Sequence, residues 1–205
     1  MTIHRLVLGE LETNCYVLRA ENGQGLIIDP ADDADAICSL VSREDITPVA
    51  VVLTHAHFDH MLAAGELRDR LGVSLYVGIG DAEALSDPIR NLSGWFSPNH
   101  PVSLSADRTL TEGDVITAGE TTWTVMETPG HTPGCICLLG DGVLFSGDTL
   151  FCGSIGRLDF PGGDPQQMVA SLNRLIQLPP DTVVYSGHGE KTTIGQEIVG
   201  NPYLR

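Results

Sequence analysis

Basic residues are scarce in this chain, and long hydrophobic runs are missing. The 11 lysines and arginines face 27 aspartates and glutamates, which gives a formal net charge of −16. Nucleic-acid binding normally requires a basic surface that displaces counterions from phosphate groups. No apolar run approaches the ~20 residues that cross a bilayer, and the first residues lack the basic and apolar segments of a secretory signal. We therefore expect a protein that binds neither nucleic acid nor membranes.

Cysteine is sparse as well. The 5 cysteines are an odd number without the spacing of a disulfide framework, so we expect a reducing compartment, the cytoplasm. Apolar residues make up 42% of the chain and charged residues 19%, which is typical of a globular protein. Because no low-complexity linker interrupts the chain, residues 1–205 are predicted to form a single domain with a substantial core.

Short β-branched runs alternate with helical patterns along the chain. Residues 25–29 and 48–53 are predicted strands, and a helix around residues 34–42 lies between them. Another helical pattern begins at His60 and ends at a glycine, and Asp164, followed by a proline, is the predicted cap of a later helix. This alternation predicts an α/β fold in which two sheets pack face to face with helices outside.

Three of the 7 histidines lie close together in the sequence VVLTHAHFDH. His55, His57, Asp59 and His60 follow a predicted buried strand, and neither a helix face nor a strand face explains their spacing. Imidazole and carboxylate groups are common metal ligands. The cluster therefore indicates a metal site.

Residues of the same ligand types lie at the ends of three other predicted strands: His131 in TPGH, Asp148 in FSGD and His188 in SGHG. The neighbouring glycines and prolines permit sharp turns that let these side chains converge. A single histidine of this kind is more often a surface or capping residue, but four strand ends with the same chemistry favour one centre. Five imidazoles and two carboxylates could hold two metal ions, and zinc, iron and manganese all suit them.

The other histidines and the cysteines have more ordinary predicted environments. His4 and His100 are expected to be solvent-exposed. Cys135 and Cys137 alternate in an apolar strand without a second pair, which predicts buried packing and not a zinc site. Cys152 lies near the predicted metal site, but no general base is evident beside it.

At the level of motifs, THAHFDH resembles the T-H-x-H-x-D-H signature of the metallo-β-lactamase superfamily, and TPGHTPG, FSGDTLF and SGHG resemble its later motifs in the same order. The segments LGELETNCYVL and LIIDPADD are similar to the glyoxalase II branch, the hydroxyacylglutathione hydrolases, in particular to its short single-domain members. The resemblance spans nearly the whole chain. It implies an αββα sandwich of two mixed sheets with helices outside and the site at one edge of both sheets.

The resemblance also implies roles for individual residues. A hydroxide held by two divalent metal ions, Zn²⁺ or else Fe or Mn, would attack a thioester carbonyl without a protein nucleophile. Asp29 would support the ligands from a nearby strand end. The family's ligand positions are occupied here by His55, His57 and His131 for the first metal, by Asp59, His60 and His188 for the second, and by Asp148 as the bridge.

The implied substrate is a small-molecule thioester, such as S-lactoylglutathione or a related hydroxyacyl thiol. In GSIGRLDF, the family's lysine and tyrosine for the glutathione tail correspond to Arg157 and Asp159. Arg157 is therefore the predicted substrate-binding residue, and an ion pair with Asp159 or another nearby acid is the alternative. The tyrosine hydroxyl and ring are lost. Residues 87–101 hold Trp95 and Phe96 between prolines, and we expect these rings to pack against the sheet, with a substrate-covering loop as the alternative.

Two other functions stay open. The sequence GR-x-DF also resembles the persulfide dioxygenases, which hold one iron by two histidines and an aspartate. A regulatory protein that binds metal without catalysis is the second, although the presence of all seven ligand types argues against it. β-Lactam hydrolysis and RNA processing are weaker candidates, and RNA processing would need a basic surface. The sequence does not indicate the oligomeric state.

Overall fold

Two mixed β-sheets form the centre of the protein, which a computed structural model describes over residues 1–204. The first sheet contains, side by side, β1 (Thr2–Leu8), β2 (Thr13–Arg19), β3 (Gln24–Ile28), β4 (Thr47–Leu53), β5 (Ser74–Gly78) and β6 (Arg108–Leu110). Strands β1 to β3 pair antiparallel, whereas β3 to β6 pair parallel. Residues 25–29 and 48–53 were thus correctly predicted as strands, each to within one residue at its ends.

The second sheet contains β7 (Val115–Ala118), β8 (Thr121–Glu127), β9 (Ile136–Gly140), β10 (Val143–Gly147), β11 (Val183–Ser186) and β12 (Thr192–Thr193). These strands lie in the order β12-β11-β10-β9-β8-β7. Strands β10 and β11 pair parallel, and the other neighbours pair antiparallel. Both sheets are therefore mixed, as predicted.

Helices connect the strands. They are α1 (Ala34–Arg43), α2 (Ala64–Leu71), α3 (Ser93–Phe96), α4 (Pro165–Leu175) and α5 (Ile194–Gly200), with 3-10 turns at Phe58–His60, Ile79–Asp81, Ala84–Ser86 and Pro202–Leu204. The Asp164 carboxylate accepts hydrogen bonds from the backbone of Gln166 and Gln167 and caps α4, as predicted. The helix expected from His60 begins only at Ala64, because the preceding residues form a 3-10 turn.

Apolar side chains fill three layers of the sandwich. Successive residues of β4 alternate between two of them: Val52 lies between the sheets with Trp123, and Val51 packs with Ile37 of α1. On the far side, Leu172 of α4 packs against the second sheet. The helices therefore lie outside and cover the outer face of each sheet, so that both faces of each sheet are buried. The predicted αββα sandwich is confirmed.

One of the two histidines predicted to be exposed is not. His100 is exposed, but His4 is half-buried, and its Nε2 is buried without a hydrogen-bond partner among residues 1–204. The prediction for His4 was wrong because His4 shares a face of β1 with Leu6, which packs against the core. Cys135 and Cys137 are buried, as predicted.

All five cysteines are free thiols. Over residues 1–204, none of the helices combines the length and the apolar character that a transmembrane helix requires.

Candidate metal centre

The carboxyl ends of four strands deliver the predicted ligands to one edge of the sandwich. Strand β4 leads into His55, β8 into the turn that carries His131, β10 into Asp148 and β11 into His188. The parallel pairing of β10 with β11 aligns the ends that lead to Asp148 and His188. Three groups of side chains have possible ligand atoms within 4.8 Å of one another: His55 with His57 and His131, His55 with His60 and Asp148, and Asp59 with His60 and His188. All seven predicted ligands are thus brought together.

Three imidazole rings form one half of the centre. The Nδ1 atom of His57 lies 3.1 Å from His55 Nε2 and 2.9 Å from His131 Nε2. Burial, together with the neighbouring histidines, lowers the pKa of His55 well below its usual value and lowers the pKa of His57 to about 3. These two rings are therefore neutral at physiological pH and present nitrogen lone pairs, as metal ligation requires.

In four of the histidine rings, the nitrogen that faces away from the centre lies within hydrogen-bond distance of an oxygen atom. This arrangement orients a ligating histidine and leaves its Nε2 atom directed toward a metal. The pairs are His55 Nδ1 with Thr54 Oγ1 at 3.2 Å, His60 Nδ1 with Asp29 Oδ2 at 3.0 Å, His131 Nδ1 with the Arg157 carbonyl at 2.7 Å, and His188 Nδ1 with the Leu11 carbonyl at 3.1 Å.

Asp29 occupies the supporting position that the resemblance implied. Besides contacting His60, its carboxylate accepts hydrogen bonds from the Thr54 backbone N–H and from the Thr54 hydroxyl, both at 2.7 Å. Asp29 is 1% exposed, so these bonds are shielded from water. It links the end of β3 to Thr54, directly after β4, and contacts the centre through the His60 ring.

Carboxylates distinguish the other half of the centre. His60 Nε2 lies 3.5 Å from Asp59 Oδ2 and 3.3 Å from Asp148 Oδ1. Burial alone would lower the pKa of His60, but Asp59, Asp148 and Asp29 raise it well above its usual value. His188 Nε2 lies 3.4 Å from Asp59 Oδ2, and this contact contributes to a raised pKa of His188 although burial opposes it.

The residues present fit a pair of divalent cations. His60 Nε2 and Asp148 Oδ1 are both buried and have no hydrogen-bond partner among residues 1–204. Buried polar atoms are normally paired, and these two face each other across the centre. Asp148 also reaches the imidazole half, since its Oδ2 lies 3.5 Å from His131 Nε2. A nitrogen and carboxylate donor set of this kind suits zinc, iron or manganese.

The sequence analysis missed Asp81, which ties two ligand-bearing loops together. Its fully buried carboxylate accepts from the Ala56 N–H at 2.9 Å, the Thr132 hydroxyl at 2.7 Å and the Gly134 N–H at 2.8 Å. Ala56 lies between two of the histidines, and Thr132 follows His131. Burial raises the pKa of Asp81, although these hydrogen bonds oppose the shift. The available signal was an acid shortly after an apolar strand: Asp81 lies three residues beyond the end of β5, whereas Asp148, which was predicted, directly follows β10.

The start of β2 supports the loop that carries His188. The Thr13 hydroxyl donates to Asp59 Oδ2 at 2.9 Å. The Asn14 side chain donates to the Ser186 carbonyl at 2.8 Å and to the Gly189 carbonyl at 3.0 Å. Asn14 is fully buried, so its amide holds the turn around His188 from the opposite sheet.

A cavity of about 340 Å³ opens over the centre, and an adjoining groove of about 360 Å³ shares part of its wall. Trp95 and Phe96 were wrongly predicted to pack ordinarily, since they are 51% and 54% exposed. Phe96 instead lines the cavity and stacks on Phe58. The apolar lining of the cavity includes Leu11, Phe58, Leu92, Phe96, Phe151 and Phe160.

Arg157, the predicted substrate-binding residue, lines the same cavity but is already paired. Its Nε and a terminal nitrogen donate to the two carboxylate oxygens of Asp159, both at 2.8 Å. This hydrogen bonding lowers the pKa of Asp159 to about 2. The guanidinium carbon also lies 3.9 Å from the centre of the Phe160 ring. A role of Arg157 in substrate binding stays a prediction.

This arrangement of strand ends, histidines and carboxylates has a counterpart among known proteins. Residues 8–188 match the sequence profile of the metallo-β-lactamase superfamily. Since the match spans most of the chain, the protein belongs to this superfamily, whose members are mostly metal-dependent hydrolases of small molecules with sites for two metals.

Curated relatives match the chain over its full length. A probable metallo-hydrolase, YqgX, of Bacillus subtilis is 35% identical over 100% of this chain and 98% of its own length. The hydroxyacylglutathione hydrolase GloC of Haemophilus influenzae is 31% identical over 100% of this chain and 98% of its own length.

Solved structures show the same fold. The B3 metallo-β-lactamase BLEG-1 is 41% identical with a TM-score of 0.94, and 99% of each chain is covered. The protein TTHA1623, solved in a di-iron-bound form, is 36% identical with a TM-score of 0.87, over 98% of this chain and 100% of its own. ETHE1 from Myxococcus xanthus is 30% identical with a TM-score of 0.83, over 98% of this chain and 84% of its own.

Proposed function

We propose that the protein is a metal-dependent hydrolase that cleaves small-molecule thioesters, such as S-lactoylglutathione or a related hydroxyacyl thiol. The observation that carries the proposal is the position of Asp148, whose two oxygens reach both halves of the centre at the floor of an open cavity. The full-length similarity to a hydroxyacylglutathione hydrolase supports the thioester as substrate.

The predicted ligands would hold the metals in the two halves already described, with Asp148 between them. Bound there, two divalent cations would activate water and polarise the substrate carbonyl. The described part of the cavity wall offers no hydroxyl or thiol nucleophile that is paired with a base. Its only hydroxyl, that of Ser154, donates to the Ile155 carbonyl at 3.5 Å and has no base beside it. The thiol of Cys152 is exposed and does not line the cavity.

The test combines metal analysis with a hydrolysis assay on the purified protein. We expect two metal ions per chain and hydrolysis of S-lactoylglutathione that is lost with a chelator and restored by zinc, iron or manganese. Hydrolysis that persists undiminished after complete removal of metal would contradict the proposal.

A persulfide dioxygenase is the second candidate. The di-iron form of TTHA1623 shows iron in a related structure, and the motif GR-x-DF, which resembles the persulfide dioxygenases, is present here as Gly156 to Phe160. This function predicts one iron per chain and oxygen uptake when a glutathione persulfide is added. The same preparation can therefore be assayed for both activities, and the metal count separates them.

A further inference from the structure

Aromatic rings flank both halves of the candidate metal centre. The Phe160 ring lies 5.9 Å from the His57 ring, and the Phe151 ring lies 5.9 Å from the His188 ring. Phe96 lies 6.2 Å from Phe160 and completes an apolar wall between the centre and the solvent. A substrate group that extends outward from the metals along this wall therefore meets hydrocarbon.

Free positive charge is missing from the same wall. Among residues 1–204, Arg157 is the only lysine or arginine that lines the cavity. The edge of its guanidinium is bound to both oxygens of Asp159, and the guanidinium carbon lies over the Phe160 ring. The adjoining groove adds the acidic side chains Glu10 and Asp32. A ligand with carboxylates beyond the metals would have to lose water there without gaining a free cation.

We propose, resting on the proposed function, that the cavity selects thioesters that place an uncharged hydrocarbon group, aliphatic or aromatic, along this wall over thioesters that place the charged glutathione tail there. Phe96 and Phe160 are the specificity-determining residues. Glutathione carries two carboxylates and one ammonium group, which this wall does not pair. A hydrocarbon group gains by leaving water and by contact with the rings. Arg157 acts through Phe160, whose ring it stacks on and holds toward the cavity.

Three thioesters of alkyl thiols test the preference and show whether the thiol side or the acyl side of the substrate lies along the wall. They are S-lactoylglutathione, the lactoyl thioester of phenylmethanethiol, and S-phenylacetylglutathione. The second places a hydrocarbon group on the thiol side, and the third places it on the acyl side. We expect one of these two to exceed S-lactoylglutathione in kcat/KM by at least about tenfold, which corresponds to the contacts of one ring. The side that shows the increase is the side that lies along the wall.

Two substitutions test whether the aromatic wall causes the substrate preference. Phe160→Ala and Phe96→Ala should each reduce the ratio of kcat/KM for the preferred thioester over S-lactoylglutathione by about tenfold, mainly through KM. Val169→Ala is the control, because Val169 is an exposed apolar residue on α4 that does not line the cavity. This control should leave the ratio unchanged.

Arg157→Ala tests the other half of the proposal. A positioning role through Phe160 predicts that KM rises for the preferred thioester more than for S-lactoylglutathione, as it should in Phe160→Ala. A rise in KM of about tenfold confined to glutathione thioesters would instead show tail binding and would overturn the proposal.

The proposal would also be overturned if S-lactoylglutathione were the best of the three substrates, although the proposed hydrolase would then stand. Failure to hydrolyse any thioester with metals bound would overturn the proposed function itself, and the preference with it.

Discussion

Asp148 is the residue that both halves of the centre share. Its Oδ1 lies 3.3 Å from His60 Nε2, and its Oδ2 lies 3.5 Å from His131 Nε2 and 3.6 Å from His188 Nε2. Although burial opposes the shift, His60 and the other nearby imidazoles lower the pKa of Asp148. The side chain is therefore a carboxylate at neutral pH, and its charge is what an amide of the same shape would lack.

We expect Asp148→Asn to keep the fold and to lose metal and most of the activity, because a neutral amide cannot offset two adjacent cations. Elemental analysis and thermal unfolding of the same sample check both parts. Asp141→Asn is the control, since Asp141 lies exposed in the turn between β9 and β10. Wild-type metal content and turnover in the Asp148 variant would refute the shared role of this residue.

Gly187 matters because the centre leaves no room for a side chain there. A Cβ atom at this position would overlap Asp148 Oδ1 and lie 2.6 Å from His60 Cε1. We expect Gly187→Ala to lower the metal content by displacing these ligands. Gly200→Ala, where a Cβ would meet nothing within 4 Å, should bind metal normally. Equal metal content in the two variants, measured at the same metal concentration, would show that the centre adapts to the added methyl group.

At the scale of elements, the 3-10 turn after β5 positions the loops that carry three of the histidines. Asp81 in this turn accepts from the backbone of Ala56 and Gly134 and from the hydroxyl of Thr132. An asparagine in its place would replace one of the two oxygens with an NH₂ group. This donor would face another donor, whose hydrogen bond the carboxylate oxygen accepts. The loops would then lose a shared support, and the imidazole half of the centre would lose its alignment.

For Asp81→Asn we expect metal affinity to fall by about 10–100-fold, as is usual when a residue that orients ligands is replaced. Competition with a chelator of known affinity measures this fall. Glu83→Gln, at a nearby exposed ion pair with Arg90, is the control. A lower unfolding temperature with unchanged metal affinity would assign Asp81 to fold stability alone.

At the scale of the whole molecule, the centre joins the two sheets. His55, His57 and His60 follow a strand of the first sheet, whereas His131, Asp148 and His188 follow strands of the second. Metals bound between these groups would link the two halves of the sandwich. The single-domain organisation of residues 1–205 and a cytoplasmic location stay predictions.

We expect removal of bound metal to lower the unfolding temperature by about 5–10 °C, if free metal had been present at about a hundredfold over its dissociation constant. The reason is that a ligand that binds only the folded state stabilises that state. Calorimetry before and after chelation, and again after metal is returned, measures the shift. An unchanged unfolding temperature would show that the sheets do not depend on metal for their association.

The parts of the protein that were predictable from the sequence have local causes. Strands such as β3 and β4 follow from runs of apolar residues, and α4 follows from Asp164 and the proline after it, because these signals act within a few residues. The candidate ligands were recognisable because strand ends at one edge of a sheet bring their next residues together. The resemblance of these motifs to a known superfamily extended the prediction to the whole fold.

Only the tertiary structure decided which distant residues meet. Asp81 binds residues that lie 25 and 51 positions away along the chain, and Phe96 and Phe160 meet across the mouth of the cavity. Such contacts depend on how both sheets and their loops pack, and no local pattern encodes that packing. The pairing of Arg157 with Asp159 was an open alternative from the sequence, because the direction of an exposed side chain depends on its surroundings. Here the guanidinium packs on the Phe160 ring, which fixes its direction.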